Sequence, residues 1–226
     1  LGIVTEAKMK LIHPKEHARL LVITIESLTP LADVINKVLE FKPESFECFD
    51  DQTLIIAVKY LSEMAGKFQG ANWFELLKLF LPELGEQITH HYPKLTLIAE
   101  FTADTDEEAT KAAQAALEGV AGLPVKAHIA KDAVESKKYW LMRRESFNLL
   151  RHHITDKVAA PFIDDIIVEP HKLPEFMPRL EEVLKSYKLT LTIAGHIGNG
   201  HFHIIPLMDL NNPEAHKQIP EIQQKV

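Results

Sequence analysis

The clearest structural pattern in the chain lies in residues 189–207, LTLTIAGHIGNGHFHIIPL. Its two apolar arms, Leu189–Ala194 and Phe202–Leu207, have the length and the β-branched content of strands. The tripeptide 198–200, Gly-Asn-Gly, provides turn-forming residues between them. The stretch therefore predicts two neighbouring strands joined by a tight glycine turn.

Strand and helix patterns alternate upstream of this hairpin. We expect further strands at 19–26, 95–101, 125–130 and 164–168, and helices at 31–39, 105–119, 136–151 and 174–187. Thr105 and Glu108 have the spacing of a capping box at the start of one helix. The order predicts an α+β fold of ferredoxin-like β-α-β repeats, in which helices pack on one face of a mainly antiparallel sheet.

Residues 41–93 interrupt the repeats. Apolar side chains at helical spacing, such as Leu54 and Val58 and then Trp73 and Leu77, predict a mostly helical insertion here.

Composition excludes several classes of protein. The 226 residues carry 25 Lys and Arg against 32 Asp and Glu, a formal charge of −7, which argues against nucleic acid as a partner. No apolar run reaches the roughly 20 residues of a transmembrane helix. The single cysteine, Cys48, cannot form an internal disulfide, so we expect a reducing, cytoplasmic location, with peripheral membrane attachment left open.

The chain starts at Leu1 without Met or a signal peptide, and we expect it to be a fragment.

Glycine and histidine are concentrated in residues 195–203, GHIGNGHFH. His201 and His203 share one face of a regular strand, and His196 would reach them from across the turn. Neutral imidazoles in this arrangement can bind zinc, iron, manganese or cobalt in preference to calcium. A glycine hairpin whose histidines are only solvated or hydrogen-bonded remains the alternative.

Two further groups of residues suggest chemistry. Arg143 and Arg144 lie on the predicted helix 136–151, where one arginine could bind a carboxylate through its planar guanidinium. The alternative is that both are surface charges and that Trp140 belongs to the core. Asp164 and Asp165 precede an apolar strand, where they could serve acid–base chemistry or only begin the strand.

Residues 195–203 resemble the Gly-His-x-Gly-Asp-Gly-Asn-x-His signature of the C-terminal domain of FAD-linked oxidases. That family includes D-lactate dehydrogenase, the glycolate oxidase D subunit and D-2-hydroxyglutarate dehydrogenase. Trp140–Arg143 is similar to its Trp-x-x-Arg helix, and Pro161–Val168 is similar to one of its strands. The resemblance implies that residues 1–14 are the tail of a missing FAD-binding domain and that residues 15–226 are a substrate and cap domain, truncated at its C-terminus.

The resemblance also implies roles for individual residues. His196 and His203 would be ligands of a divalent metal such as zinc, iron or manganese, and Arg143 would bind the substrate carboxylate with His201 as a further substrate contact. His203 or a neighbour would assist the hydroxyl proton while hydride passes from the α-carbon of a 2-hydroxy acid to flavin. FAD would be held mainly by the missing domain, so we expect the fragment alone to be inactive.

The chain departs from the family pattern at several positions. Asn199 replaces the usual Asp, and His201 replaces the usual Asn, which makes His201 an alternative metal ligand. Ile163 and Ile205 stand where the hydroxyglutarate enzymes carry Lys and Asn, which favours a monocarboxylate such as lactate. A downstream Ser-x-Glu-His-Gly segment has no counterpart before Val226.

Other functions remain open at the level of sequence. A non-catalytic ligand- or partner-binding module could carry a decayed form of the signature. An independent metallohydrolase could use the three histidines. The sequence fixes neither the electron acceptor nor the oligomeric state, and a homodimer is compatible with it.

Overall fold

The computed structural model describes residues 3–60, 78–81, 85, 92–153, 157–187 and 189–226. Eight strands are present in these ranges: β1 (His17–Ile25), β2 (Ser45–Asp50), β3 (Leu95–Ala103), β4 (Lys126–Ile129), β5 (Val158–Ala159), β6 (Ile166–Ile167), β7 (Thr190–Gly195) and β8 (His201–Met208). The same ranges contain six α-helices: α1 (Leu31–Leu39), α2 (Asp51–Lys59), α3 (Asp106–Val120), α4 (Ala133–His153), α5 (Leu173–Lys185) and α6 (Pro213–Lys225).

The strands form one sheet in the order β4-β1-β3-β2-β7-β8-β5, and β6 pairs with another part of β8. Each of these pairs is antiparallel. The α+β class and the antiparallel sheet are therefore as predicted. Thr105 accepts a hydrogen bond from the Glu108 backbone N–H at 3.3 Å, which confirms the predicted N-cap of α3.

Strand β2 joins the two halves of the sheet. It pairs with β3 on one side and, through Cys48 and Phe49, with Gly195 and Ala194 of β7 on the other. The prediction of a mostly helical insertion over 41–93 is thus wrong at Ser45–Asp50 and right for α2. The physical reason is that Phe46 and Cys48 alternate with Glu47, a period-two pattern that a central strand can bury on one face. The remainder of the expected insertion, at 61–77, 82–84 and 86–91, lies outside the described residues.

Helices cover both faces of the sheet, whereas the sequence predicted helices on one face. Leu21 and Ile23 of β1 pack with α1, α3 and α5 in the core of the first face. The intervening Leu20 and Val22 pack on the second face with α2 and with Met142 of α4. Because β1 is apolar at successive positions, both of its faces must be buried against other elements. This second helical layer brings α4 onto the same side of the sheet as Glu47.

Residues that precede β1 form no helix or strand from 3 to 16. Their large apolar side chains are exposed, namely Ile3, Val4, Met9, Leu11 and Ile12. Within the described ranges, no helix has both the length and the apolar character needed to cross a bilayer.

Candidate active site

The turn between β7 and β8 requires its glycines. Gly200 has φ +67°, and a Cβ atom on it would lie 1.6 Å from the carbonyl oxygen of Val168. A Cβ atom on Gly195 would lie 2.2 Å from the carbonyl oxygen of His201. Both positions therefore exclude a side chain, as the sequence pattern indicated. The turn itself is a short 3-10 helix, Ile197–Asn199. It places His196 close to the start of β8.

The three histidines of the turn lie together. The ring centroids of His196 and His201 are 5.5 Å apart, those of His196 and His203 are 5.9 Å apart, and those of His201 and His203 are 4.5 Å apart. One ring nitrogen from each histidine lies within 4.8 Å of the corresponding atoms of the other two. The structure thus brings together all three imidazoles that the sequence singled out. We refer to them as the histidine cluster.

Each imidazole of the cluster is bonded to a carboxylate. His203 Nδ1 donates to Asp164 Oδ1 at 2.8 Å, and His201 Nε2 lies 3.0 Å from Asp165 Oδ1. The third partner, Glu47, accepts a hydrogen bond from His196 Nδ1 at 2.5 Å. Asp164 and Asp165 therefore belong to the site, and they act here as acceptors for ring N–H groups.

Glu47 also connects the histidine cluster to Arg143. Arg143 Nε donates to Glu47 Oε2 at 3.2 Å, and the two side chains are only 13% and 11% exposed. Arg144, by contrast, is 72% exposed. The structure therefore separates the two arginines of the helix, with Arg143 directed into the site and Arg144 directed to solvent. Half-buried Trp140 donates its indole N–H to Glu100, another carboxylate on the sheet.

Sequence reasoning missed Glu47 because its segment was interpreted as part of a helical insertion. The alternation of Phe46 and Cys48 around it was the signal for a strand, and a strand places Glu47 on the opposite face from its neighbours. That opposite face is the one on which α4 packs.

Two other buried groups next to β2 have structural roles. Asp50 caps α2 and accepts hydrogen bonds from Thr53, Thr192 and the backbone N–H of Ile193. Burial raises its pKa to about 6. Burial also raises the pKa of the Cys48 thiol, which makes Cys48 a poor nucleophile.

Three cavities among the described residues lie away from the histidine cluster. Three open cavities of about 360, 440 and 390 Å³ share Leu28 and Lys94, at the end of the sheet where β7 begins. The histidine cluster lines none of these three. We assign the site by its chemistry, because convergent imidazole, guanidinium and carboxylate groups bind ligands more specifically than an open apolar groove.

The donor set is suited to small charged ligands. Imidazole nitrogens and carboxylate oxygens fit a divalent cation, and a guanidinium fits a carboxylate. Fold and site together define an antiparallel α+β domain with an arginine–histidine centre.

Comparison with known proteins identifies the family. Residues 14–226 match the family model of FAD linked oxidases, C-terminal domain, and the chain belongs to this family. D-2-hydroxyglutarate dehydrogenase from Pseudomonas putida is 24% identical over 218 residues, which cover 94% of this chain and 20% of that protein. The enzyme of the same name from Escherichia coli K12 is 22% identical over 98 residues, which cover 43% of this chain and 10% of that protein.

Solved structures show the same fold at low identity. 4-Ethylphenol oxidase from Gulosibacter chungangensis superposes with a TM-score of 0.63 at 11% identity, over 96% of this chain and 44% of that one. p-Cresol methylhydroxylase superposes with a TM-score of 0.58 at 12% identity, over 93% of this chain and 42% of that one. The chain therefore spans about a fifth of the Pseudomonas dehydrogenase and less than half of these oxidases.

Proposed function

We propose that this chain is the substrate-binding part of an FAD-dependent dehydrogenase that acts on 2-hydroxy acids. The observation that carries the proposal is the convergence of Arg143 with the histidine cluster through Glu47. Family membership supports the use of FAD, and the names of the relatives in Pseudomonas and Escherichia support a 2-hydroxy acid as substrate.

In this proposal Arg143 binds the substrate carboxylate. A guanidinium offers five N–H donors in one plane, and Glu47 accepts a hydrogen bond from one of them, at Nε. The bond to Glu47 holds the guanidinium in a fixed orientation beside the histidines, which reduces the entropy that substrate binding would otherwise lose.

The histidines act on the hydroxyl end of the substrate. His196 and His203 hold a divalent metal such as zinc, iron or manganese, and His201 contacts the substrate. Because the Nδ1 atom of His203 donates to Asp164, only its Nε2 atom can face a ligand: it would bind the metal or, where no metal is bound, would accept the hydroxyl proton. When bound, FAD supplies the acceptor for the hydride of the α-carbon, and the metal supplies positive charge near the developing alkoxide.

The partner of this chain in the reaction is an FAD-binding domain. The exposed apolar residues before β1, Ile3 to Ile12, are consistent with a segment that packs against further protein. We propose that the chain alone does not turn over substrate, because FAD would be held mainly by that domain.

The proposed substrate is a monocarboxylate similar to D-lactate. Ile163 packs in the core of the first face, and Ile205 is buried, so neither supplies a polar group to a second carboxylate. The dicarboxylate D-2-hydroxyglutarate, which names the relatives, is the direct competitor in any test of specificity.

Flavin reduction tests the function. The protein that contains this chain, loaded with FAD under anaerobic conditions, should lose its flavin absorbance on addition of D-lactate, with a higher kcat/KM than for D-2-hydroxyglutarate. A preference for D-2-hydroxyglutarate would contradict the substrate proposal alone. No bleaching by any of a panel of 2-hydroxy acids would contradict the dehydrogenase and favour a non-catalytic binding module.

A further inference from the structure

The spacing of the histidine cluster suits a metal with three nitrogen ligands. A zinc–nitrogen bond of about 2.1 Å places the centroid of a coordinating imidazole about 3.2 Å from the metal. Two such rings at a tetrahedral angle have centroids about 5 Å apart. The observed separations of 4.5, 5.5 and 5.9 Å lie on both sides of that value. Small side-chain rotations would bring one nitrogen of each ring to a common centre.

The carboxylates around the cluster support the same interpretation. A histidine that ligates a metal usually donates its other ring N–H to a carboxylate or a carbonyl, which fixes the tautomer and the orientation of the ring. All three imidazoles have such a partner, and the partners are three different residues, Glu47, Asp165 and Asp164.

The charge of the surroundings also favours a cation. Each of the three carboxylates bonds to an imidazole, and within the described residues the guanidinium beside them is that of Arg143, which bonds to Glu47. With neutral imidazoles, these groups leave a net negative charge beside the cluster, and a divalent cation would compensate it.

We infer that His201 is the third ligand of the metal, together with His196 and His203, and that this chain supplies all three. The inference rests on the metal of the proposed function and replaces the direct substrate contact given to His201 there, because Nε2 of this ring bonds to Asp165 and only Nδ1 is left for a ligand. Glu47, Asp165 and Asp164 are positioning residues in this arrangement, since each acts through the ring that it holds.

Metal titration tests the inference without any turnover. The protein, stripped with a chelator, should bind one Zn²⁺ per chain in a calorimetric titration. Because loss of even an outer carboxylate partner lowers metal affinity by about 10- to 100-fold, His201→Asn should lower it by at least about tenfold. His171→Asn is the matched control, because His171 is 70% exposed and lies outside the cluster, and it should bind Zn²⁺ as the wild type does. Circular dichroism of each variant checks that the fold is retained.

Each outcome has a separate meaning. Equal Zn²⁺ affinity in His201→Asn and wild type would overturn the third ligand and leave His196 and His203 as the proposed pair. No Zn²⁺ binding by the wild type would overturn every metal statement, while flavin reduction would still test the reaction. Asp164, Asp165 and His203 form a competing, oxygen-rich arrangement. If the protein bound Ca²⁺ saturably and Asp165→Asn abolished that binding, Asp164 and Asp165 would be direct metal ligands. This result would also overturn the inference that His201 is the third ligand.

Discussion

Glu47 connects the histidine turn to the arginine helix through its two carboxylate oxygens. One carboxylate oxygen accepts from His196 and the other accepts from Arg143. The sequence predicted His196, His203 and Arg143 from their motifs, because such motifs are local. It could not predict Glu47, because the contact depends on a strand pairing that brings residue 47 beside residue 196 across about 150 positions of chain.

Replacement of Glu47 by Gln tests this bridge. An amide retains an acceptor oxygen for one partner but removes the charge and presents an NH2 group to the other. We expect Glu47→Gln to lower Zn²⁺ affinity and the kcat/KM of flavin reduction by about 10- to 100-fold. Glu100→Gln is the matched control, since Glu100 is also a carboxylate on the sheet, half-buried, and it bonds to the same helix through Trp140. Similar values for the two variants would show that Glu47 does not position the site.

Strand β2 and helix α2 are held to β7 by Asp50. Its carboxylate accepts from Thr53 on α2 and from Thr192 and Ile193 on β7. The sequence indicated α2 by its apolar spacing but missed β2. The alternation of Phe46 and Cys48 is the signal for β2, but it is short, and it is followed directly by the helical spacing of the apolar residues in α2. Helix α6 was missed as well, because Pro220 lies inside it and only Ala215 and Ile222 are buried.

The pH dependence of stability tests the burial of Asp50. Its pKa rises from an ordinary 3.8 to about 6 in the folded protein, chiefly because of burial. The folded state therefore retains a proton that the unfolded state releases between about pH 4 and pH 6, and the free energy of unfolding falls as the pH rises through this range. Relative to Asp50→Asn, the wild type should lose roughly 2 kcal/mol between pH 4 and pH 7 in urea denaturation. Parallel pH profiles for the two proteins would show that Asp50 is not a buried acid with a raised pKa.

The whole molecule depends on a sheet that is buried on both faces. The fold class could be predicted from the alternation of strands and helices, because each unit has its own periodicity. The second helical layer could not be predicted. The pattern of a helix shows that one side of the helix is apolar, but it does not show which face of the sheet that side covers. That layer places Arg143 at the site and Arg144 in solvent.

The central claim is that Arg143, on the second layer, binds the carboxylate of a 2-hydroxy acid beside the histidine cluster. The most direct measurement is anaerobic flavin reduction by the FAD-loaded protein with Arg143→Lys, compared with Arg144→Lys. Lysine keeps the charge but loses the planar pair of donors, so Arg143→Lys should lower kcat/KM by about 100-fold or more, whereas Arg144→Lys should stay within about twofold of the wild type. Equal effects of the two substitutions, or no effect of Arg143→Lys, would contradict the proposed site.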